Sequence, residues 1–205
     1  MIDIDVEISA TDIKSIRQRL GQFEDKTPNV LSRAINRTVA TIKTEMKRDA
    51  AKRYSIAQKD VAATLEDRKA NSKKLYGYVK STGTVIPLSK FRVTPQRTVS
   101  YDSGEPNPSH YSAAVLKGGA LKALVHNPKA FIAVMPNDHG GVYERTGVKS
   151  RHNPQKELIA QRFGPSVPHM IKNKNVIDEI KNKAESTLQK RIDAEINYIL
   201  SRGQS

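Results

Sequence analysis

The 205-residue sequence contains no cysteine, which excludes disulfide bonds and thiolate metal sites. It also contains no tryptophan, and aromatic residues make up only 5% of the chain. The hydrophobic fraction of 37% lies below the average of globular proteins. A core can form, but it is poor in large side chains. We therefore expect the chain to gain part of its stability by burying surface against copies of itself or other proteins.

Long apolar runs are also missing. No stretch approaches the roughly 20 apolar residues that a bilayer-spanning helix needs. The N-terminus begins with alternating acidic and apolar residues, unlike the basic start and apolar run of a signal peptide. We expect a soluble protein made in a cytoplasm, with no membrane partner.

Basic residues, in contrast, are abundant. Lys and Arg number 35 against 21 Asp and Glu, which gives a formal charge of +14. Residues 68–137 carry eleven of the basic residues and only two acids, so most of the excess lies in the middle of the chain. This balance favours a polyanionic partner, an acidic protein surface, or a position in an assembly where the repulsion is neutralised.

The first third of the sequence predicts a strand followed by helices. Residues 2–8 alternate between apolar and mainly acidic side chains, as in a strand with one solvent-exposed face. Thr11 or Asp12 can cap a short helix. A longer helix is predicted to begin with Thr27 as its N-cap and to run to about Arg53.

Beyond this helix the pattern changes to short segments separated by Gly and Pro. Ser55 is predicted to cap another short helix, and Lys117–Ala120 to connect a tight hairpin. Residues 94–110 and 145–154 are predicted to form long loops. The predicted strands of this antiparallel region are Leu75–Lys80, Ile86–Val93, Ser112–Leu116, Leu121–Val125, Ala130–Met135 and Val142–Arg145.

The last segment, from Asn175 to about Arg202, predicts one long helix. Its apolar residues recur at every fourth position: Val176, Ile180, Ala184, Leu188, Ile192, Ile196 and Leu200. Because a period of four exceeds 3.6 residues per turn, this track winds around the helix and requires contacts on more than one side. We take this winding as an argument for an assembled state.

Together these segments predict a single α+β domain with N-terminal helices, a mostly antiparallel β-sheet and a long C-terminal helix. Residues 1–65 would supply the strand plus helices. Residues 66–170 would supply the sheet with its long loops, and residues 171–205 the C-terminal helix.

Signals for catalysis are weak. No two of the five histidines have the i, i+4 spacing of a helical zinc site, and the Gly-x-Ser-x-Gly and phosphate-loop motifs are missing. We therefore predict no cofactor, no metal and no enzymatic activity. A hydrolase that uses His139 or His169 is kept as a third hypothesis.

Nucleic-acid binding has more support. One side of the first long helix carries the basic residues Arg33, Arg37, Lys47 and Arg48. In the strand region, Lys73, Lys74, Lys80, Lys90 and Arg92 are interleaved with Tyr76, Tyr78 and Phe91, as in a stacking platform for bases. A solvated helix face and an ordinary sheet surface remain the alternatives. The predicted contacts to DNA or an acidic partner are Arg33, Arg37, Lys47, Arg48, Lys73, Lys74 and Lys80.

Several phrases, in order, resemble the minor tail protein Z family of tailed phages and prophages. The most specific is Phe163–Met170, which precedes the terminal helix. The others are Ala34–Thr38, Lys52–Tyr54, Ser55–Ile56, Ala130–Ala133 and Gly141–Gly147. The likeness extends from about Leu31 to Leu200.

The resemblance implies a structural virion protein that completes the head-proximal end of a siphophage tail, at the head–tail junction. It implies a homo-oligomeric ring, contacts with tail terminator and tube proteins, and basic residues that can meet phage DNA. The protein would be present in host cytoplasm during assembly. The alternative function is a sequence-independent nucleic-acid-binding protein that works outside any particle.

Within the most specific phrase, two prolines restrict the backbone and favour extended residues before them. We predict a rigid structural joint, without a catalytic role, that sets the angle at which the terminal helix leaves the sheet. It consists of Gly164, Pro165, Ser166, Val167 and Pro168.

Overall fold

The computed structural model describes residues 1–96, 99–100, 108–124, 130–135, 140–172 and 174–203. The chain folds into two compact units. The first consists of Met1–Asp49, Ala62–Gly83 and Ile171–Ser205, and the second of Ala50–Val61 and Thr84–Met170. The single domain with parts 1–65, 66–170 and 171–205 stays a prediction.

The described residues form helices and strands in an α+β arrangement, as predicted. The α-helices are α1 (Ala10–Leu20), α2 (Thr27–Arg53), α3 (Gln58–Ala62), α4 (Val167–Ile171) and α5 (Lys174–Gly203). The strands are β1 (Ile2–Val6), β2 (Leu65–Arg68), β3 (Gly77–Ser81), β4 (Ile86–Pro87), β5 (Arg92–Thr94), β6 (Val99–Ser100), β7 (Ser112–Ala114), β8 (Lys122–Ala123), β9 (Ala130–Val134), β10 (Gly140–Lys149), β11 (Glu157–Gln161) and β12 (Phe163–Gly164). The N-terminal helices, the largely antiparallel strands and the long C-terminal helix are thus confirmed.

The sheet of the first unit has the strand order β1-β3-β2, and both pairings are antiparallel. Its inner face buries Ile4 and Val79. A Cβ added at Gly77 would lie only 2.8 Å from Val39 Cγ2 and 2.9 Å from Ile35 Cγ2 of α2. Glycine therefore allows α2 to lie directly on the central strand.

The helical core of the first unit is formed by α1, α2 and α5. Its buried members are Ile16, Leu20, Val30, Leu31, Ala34, Ile192 and Ile196. The winding apolar track of α5 is thus covered in its C-terminal half by two helices of the same unit. Arg19 and Asp193 form an ion pair of 2.7 Å between α1 and α5. In this half of α5 the winding is therefore explained within one copy, and the assembled state stays a prediction.

Two predicted helix caps are wrong. The N-cap of α1 is Ser9, whose Oγ accepts a hydrogen bond of 3.1 Å from the backbone N–H of Asp12. Thr27 has helical backbone angles, because a 3-10 helix at Gly21–Lys26 leads directly into α2. Its hydroxyl donates to the carbonyl oxygen of Glu24 and caps no N–H group.

The predicted role of Ser55 is also wrong. Its backbone N–H donates to the carbonyl of Val115 and its hydroxyl to that of Leu116. Ser55 therefore joins an extended segment of the second unit, and α3 begins three residues later, at Gln58.

The described residues of the second unit form three small sheets where the sequence predicted one. Their orders are β11-β10-β9-β6, β5-β7-β8 and β12-β4. The pairing of β6 with β9 is parallel, whereas the other pairings are antiparallel. The strands on either side of Lys117–Ala120 pair as predicted, with Ser112 opposite Ala123, but residues 115–121 connect them, so the predicted tight turn is wrong. The predicted strand Ile86–Val93 is interrupted by a 3-10 helix at Leu88–Lys90.

The loop predicted over residues 145–154 is wrong in its first half. β10 continues to Lys149 and pairs with β11, and only residues 150–156 form the connection. Of the other predicted loop, residues 97–98 and 101–107 lie outside the described residues.

The predicted joint begins in β12 and ends in α4. An added Cβ at Gly164 would overlap the buried ring of Phe91. Val167 is fully buried, and Pro168 is buried beside it. The phrase is thus a tightly packed part of the second unit, while its role in directing the terminal helix stays a prediction.

We expect Gly164→Ala to destabilise the protein by about 1–3 kcal/mol, because the new methyl group must displace the Phe91 ring from a filled site. Urea unfolding followed by circular dichroism measures the change. Gly140→Ala is the matched control, since its Cβ would lie at an ordinary 3.7 Å from Val134 Cγ2. Equal stability of the two variants would contradict the packing described.

Candidate functional site

Two adjoining hollows on the first unit share Arg33. One has a volume of about 480 Å³ and the other of about 310 Å³. We call them together the basic groove, after the basic residues Arg33, Arg37, Lys69 and Arg202. Tyr198 also lines it, and so does Lys26, whose charge is paired with Asp25 at 2.7 Å.

The position of each groove residue follows from local structure. Arg33 and Arg37 are four residues apart on α2, so they lie on the same face. Asn36 fixes the following segment: its side-chain amide donates to Ala70 O at 3.0 Å and its Oδ1 accepts from Ala70 N at 2.7 Å. This pair of hydrogen bonds holds the neighbouring Lys69 at the groove.

The charges of the groove are only partly neutralised. Arg33 Nη1 lies 3.2 Å from the carboxylate of Glu195 on α5. Arg37 and Lys69 are exposed, and neither has an acidic partner within the described ranges. These two cations are available to an incoming anion.

An aromatic side chain completes the groove. Tyr198 is 49% exposed, and the guanidinium of Arg202 lies 5.4 Å from the centroid of its ring. Arg202 Nη1 also donates to the Tyr198 hydroxyl at 2.7 Å. An exposed ring between cations is an arrangement suited to single-stranded or frayed nucleic acid, because bases stack on such rings.

Other members of the predicted basic stripe on α2 lie elsewhere. Arg48 pairs with Glu45 at 2.9 Å, and Lys183 of α5 reaches the same carboxylate at 2.9 Å. Lys47 is half-buried. Neither Lys47 nor Arg48 lines the groove.

The predicted stacking platform is wrong in one member, Phe91, while a contact of Tyr76, Tyr78 and Lys80 with DNA stays a prediction. Phe91 is buried in the second unit, whereas Tyr76 and Tyr78 belong to the first. Lys80 stands directly opposite Asp3 of β1 and Glu66 of β2, so two carboxylates flank its charge.

Lys73 and Lys74 are exposed on a turn that begins at Asn71. Both of their backbone N–H groups donate to Asn71 Oδ1. They do not line the basic groove, and a contact of theirs with DNA stays a prediction.

Sequence reasoning missed Lys69, Tyr198 and Arg202. The i, i+4 spacing of Tyr198 and Arg202 on the predicted terminal helix could have indicated a cation–aromatic pair. Lys69 offered no such signal, because its position depends on the contact between Asn36 and Ala70, which are 34 residues apart.

The described part of the chain shows no candidate metal centre. No group of three or more His, Asp or Glu side chains there could hold a metal ion. His169 is exposed and forms no hydrogen bond with another described residue. His139 lies outside the described residues. No described helix combines the length and the apolar character needed to cross a membrane.

An acidic edge lies on the same unit. Asp3 and Asp5 are exposed on β1, and Glu7 follows the strand. The phenol of Tyr76 donates to Asp5 Oδ1 at 2.5 Å. This hydrogen bond, together with burial and the nearby carboxylates, raises the pKa of Tyr76 to about 12.

Comparison with known proteins decides the family. The family model of Prophage minor tail protein Z (GPZ) matches residues 14–203, which is nearly the whole chain. The chain belongs to this family. No curated protein and no solved structure matches it.

Membership in the minor tail protein Z family makes the chain a structural component of the virion that contacts other phage tail proteins. The resemblance stated from the sequence is thereby confirmed. The matched residues include most of α1 and all of α2 and α5, so both the basic groove and its scaffold belong to the family region. That the protein is not an enzyme stays a prediction.

The bond between Tyr76 and Asp5 predicts a dependence of stability on alkaline pH. The folded state holds the phenol proton up to a pKa of about 12, whereas the unfolded chain releases it near 10. The stabilisation is therefore complete below pH 10 and is lost as the pH rises towards 12. Urea unfolding across this range should show a smaller alkaline loss in Tyr76→Phe than in the wild type.

Tyr78→Phe is the control, because it removes a neighbouring hydroxyl and leaves the bond to Asp5 intact. A parallel pH profile for wild type and Tyr76→Phe would show that the bond does not stabilise the folded state.

Proposed function

We propose that this protein completes the head-proximal end of a siphophage tail. It acts through protein–protein contacts at the head–tail junction, as a ring of identical copies beside the tail terminator and tube proteins. Membership in the minor tail protein Z family is the observation that carries this proposal. The basic groove adds a second role, contact with the phage DNA that must pass this junction.

The chemistry of the groove suits DNA of any sequence. Arg37 and Lys69 supply unpaired charges for phosphates, and Tyr198 supplies a ring on which any base can stack. The groove is lined by residues of α2 and α5. Binding of this kind holds DNA without selecting a site, which suits a junction that every genome copy must cross.

Removal of the gene from the encoding phage or prophage tests the proposed place in the tail. We expect electron micrographs to show filled heads and tails of normal length that do not form infectious particles, because the joining surface is missing. Supplying the protein in trans should restore infectivity. An antibody to the protein should label the head-proximal end of wild-type tails, and label at the distal end would exclude the proposed position.

The DNA contact predicts a specific salt dependence. On a single strand, each removed phosphate contact lowers the magnitude of the slope of log K against log salt concentration by about 0.7, so Arg37→Ala with Lys69→Ala should lower it by about 1.4. Fluorescence anisotropy with a labelled single-stranded oligonucleotide measures the slope. Lys14→Ala with Arg17→Ala is the matched control, since it removes the same charge from exposed positions of α1. Equal slopes for the two double variants would rule out the groove as the DNA site.

The alternative is a sequence-independent nucleic-acid-binding protein that works outside the particle, and the charge of +14 favours it. It predicts tight, salt-dependent binding by the isolated monomer together with the absence of the protein from purified virions. Mass spectrometry of virions separates the two functions.

A further inference from the structure

The far half of the β10–β11 hairpin projects into solvent. We call residues 145–159 the arm. Leu158 is 48% exposed and Ile159 is 40% exposed. Successive residues of a strand point to opposite faces, so both faces of the arm lie in solvent.

Backbone hydrogen bonds and a bulge define the conformation of the arm. Ser150 N donates to Lys156 O at 2.8 Å, and Lys156 N donates to Asn153 O at 2.9 Å, which closes the turn. Below the turn, Gly147 has a φ of +73° at the point where the register of the two strands shifts. This is a bulge that needs glycine, because the left-handed conformation strains other residues.

The surface of the arm combines apolar and basic side chains. Val148 is 56% exposed, and it adds to the apolar surface of Leu158 and Ile159. Four basic residues accompany one acid, Glu157; they are Arg145, Lys149, Arg151 and Lys156. Exposed apolar side chains ringed by charge are typical of a surface that another protein covers.

The first unit carries a groove of the opposite charge, which we call the acidic groove. Its volume is about 300 Å³, at the lower end of the range of ligand pockets. Its apolar lining consists of Ile8, Ile16, Leu188 and Ile192, and its acidic residues are Glu7, Asp12 and Glu185. The charge of Arg19, which also lines the groove, is neutralised by Asp193 at 2.7 Å.

Glu7 and Glu185 are exposed, and within the described ranges neither has a basic partner. The acidic groove therefore offers what the arm lacks, namely free carboxylates around a small apolar hollow. The arm offers cations around a few apolar side chains.

We propose that the arm of one copy of this chain docks in the acidic groove of the next copy. The inference deepens the proposed function, on which it rests, because a ring of copies needs a contact between two different surfaces of the subunit. The arm and the acidic groove are two such surfaces.

Charge complementarity favours a second copy of this chain over DNA as the partner of the arm. Copies that each carry +14 repel one another, and the acidic groove is a place where that repulsion becomes attraction. DNA would meet the cations of the arm but would leave Leu158 and Ile159 exposed. A copy of this chain covers them with the lining of the acidic groove.

Engineered disulfides test the contact directly, because the natural chain has no cysteine. A full-length protein carrying Leu158→Cys is mixed with one carrying Leu188→Cys under mild oxidation. We expect a mixed disulfide dimer on a non-reducing gel. Leu121→Cys, at an exposed position of the second unit outside the arm, is the control for Leu158→Cys and should give several-fold less of the mixed dimer.

Charge reversal provides an independent readout. The variants Lys149→Glu/Lys156→Glu and Glu7→Lys/Glu185→Lys should each lose self-association in light scattering. A mixture of the two should regain it, since an acidic arm meets a basic groove. Lys117→Glu/Lys122→Glu, at exposed positions outside the arm, should associate as the wild type does. Circular dichroism confirms that each variant is folded.

The outcomes separate this inference from the proposed function. An arm variant that still associates overturns the arm contact and leaves the ring and the place in the tail untouched. A wild-type protein that stays monomeric at every concentration overturns both the arm contact and the ring, while the antibody label still tests the place in the tail. An arm variant that loses DNA binding while it keeps self-association also overturns the arm contact. An intact arm contact in a protein that is missing from virions would instead refute the proposed function.

Discussion

The first unit depends on the close approach of α2 to the central strand β3. The approach is possible because position 77 has no side chain: a Cβ there would lie within 3 Å of the side chains of Ile35 and Val39. With α2 held on the sheet, its other faces are free to receive α1 and α5, and the core of the unit closes around Leu31 and Ile196. The groove residues Arg33 and Arg37 are carried on the same helix. One small residue in a strand thus determines where the exposed charges of α2 can lie.

Helix α5 links the two surfaces to which we assign partners. Leu188 and Ile192 belong to the acidic groove, whereas Tyr198 and Arg202 belong to the basic one. The apolar residues of this helix are spread around its axis, as its sequence already indicates. Its polar residues therefore lie on more than one face. In the proposed function these faces contact different partners, a neighbouring copy and DNA. A single amphipathic stripe would have left room for only one of them.

How much could be predicted from the sequence differed between regions for physical reasons. The long helices α2 and α5 were predicted nearly to the residue, because many periodic apolar positions indicate the same burial. The end of β10 was missed, since residues exposed on both faces show no alternation that would indicate a strand. The cap of α1 was misplaced because Ser9, Thr11 and Asp12 are all able to cap a helix. In the basic groove, Arg33 and Arg37 were predicted, whereas Lys69 depends on a contact distant in sequence.

Strand β1 lies at the edge of its sheet, where a strand of another molecule could pair with it. No other described strand pairs with its outer edge, and such an edge is a template for uncontrolled strand addition between molecules. Asp3 and Asp5 stand on its exposed face. If two copies aligned these edges, carboxylates would be brought beside carboxylates, and the pairing would be opposed by repulsion. The acidic face of β1 therefore opposes strand addition between two copies along this edge.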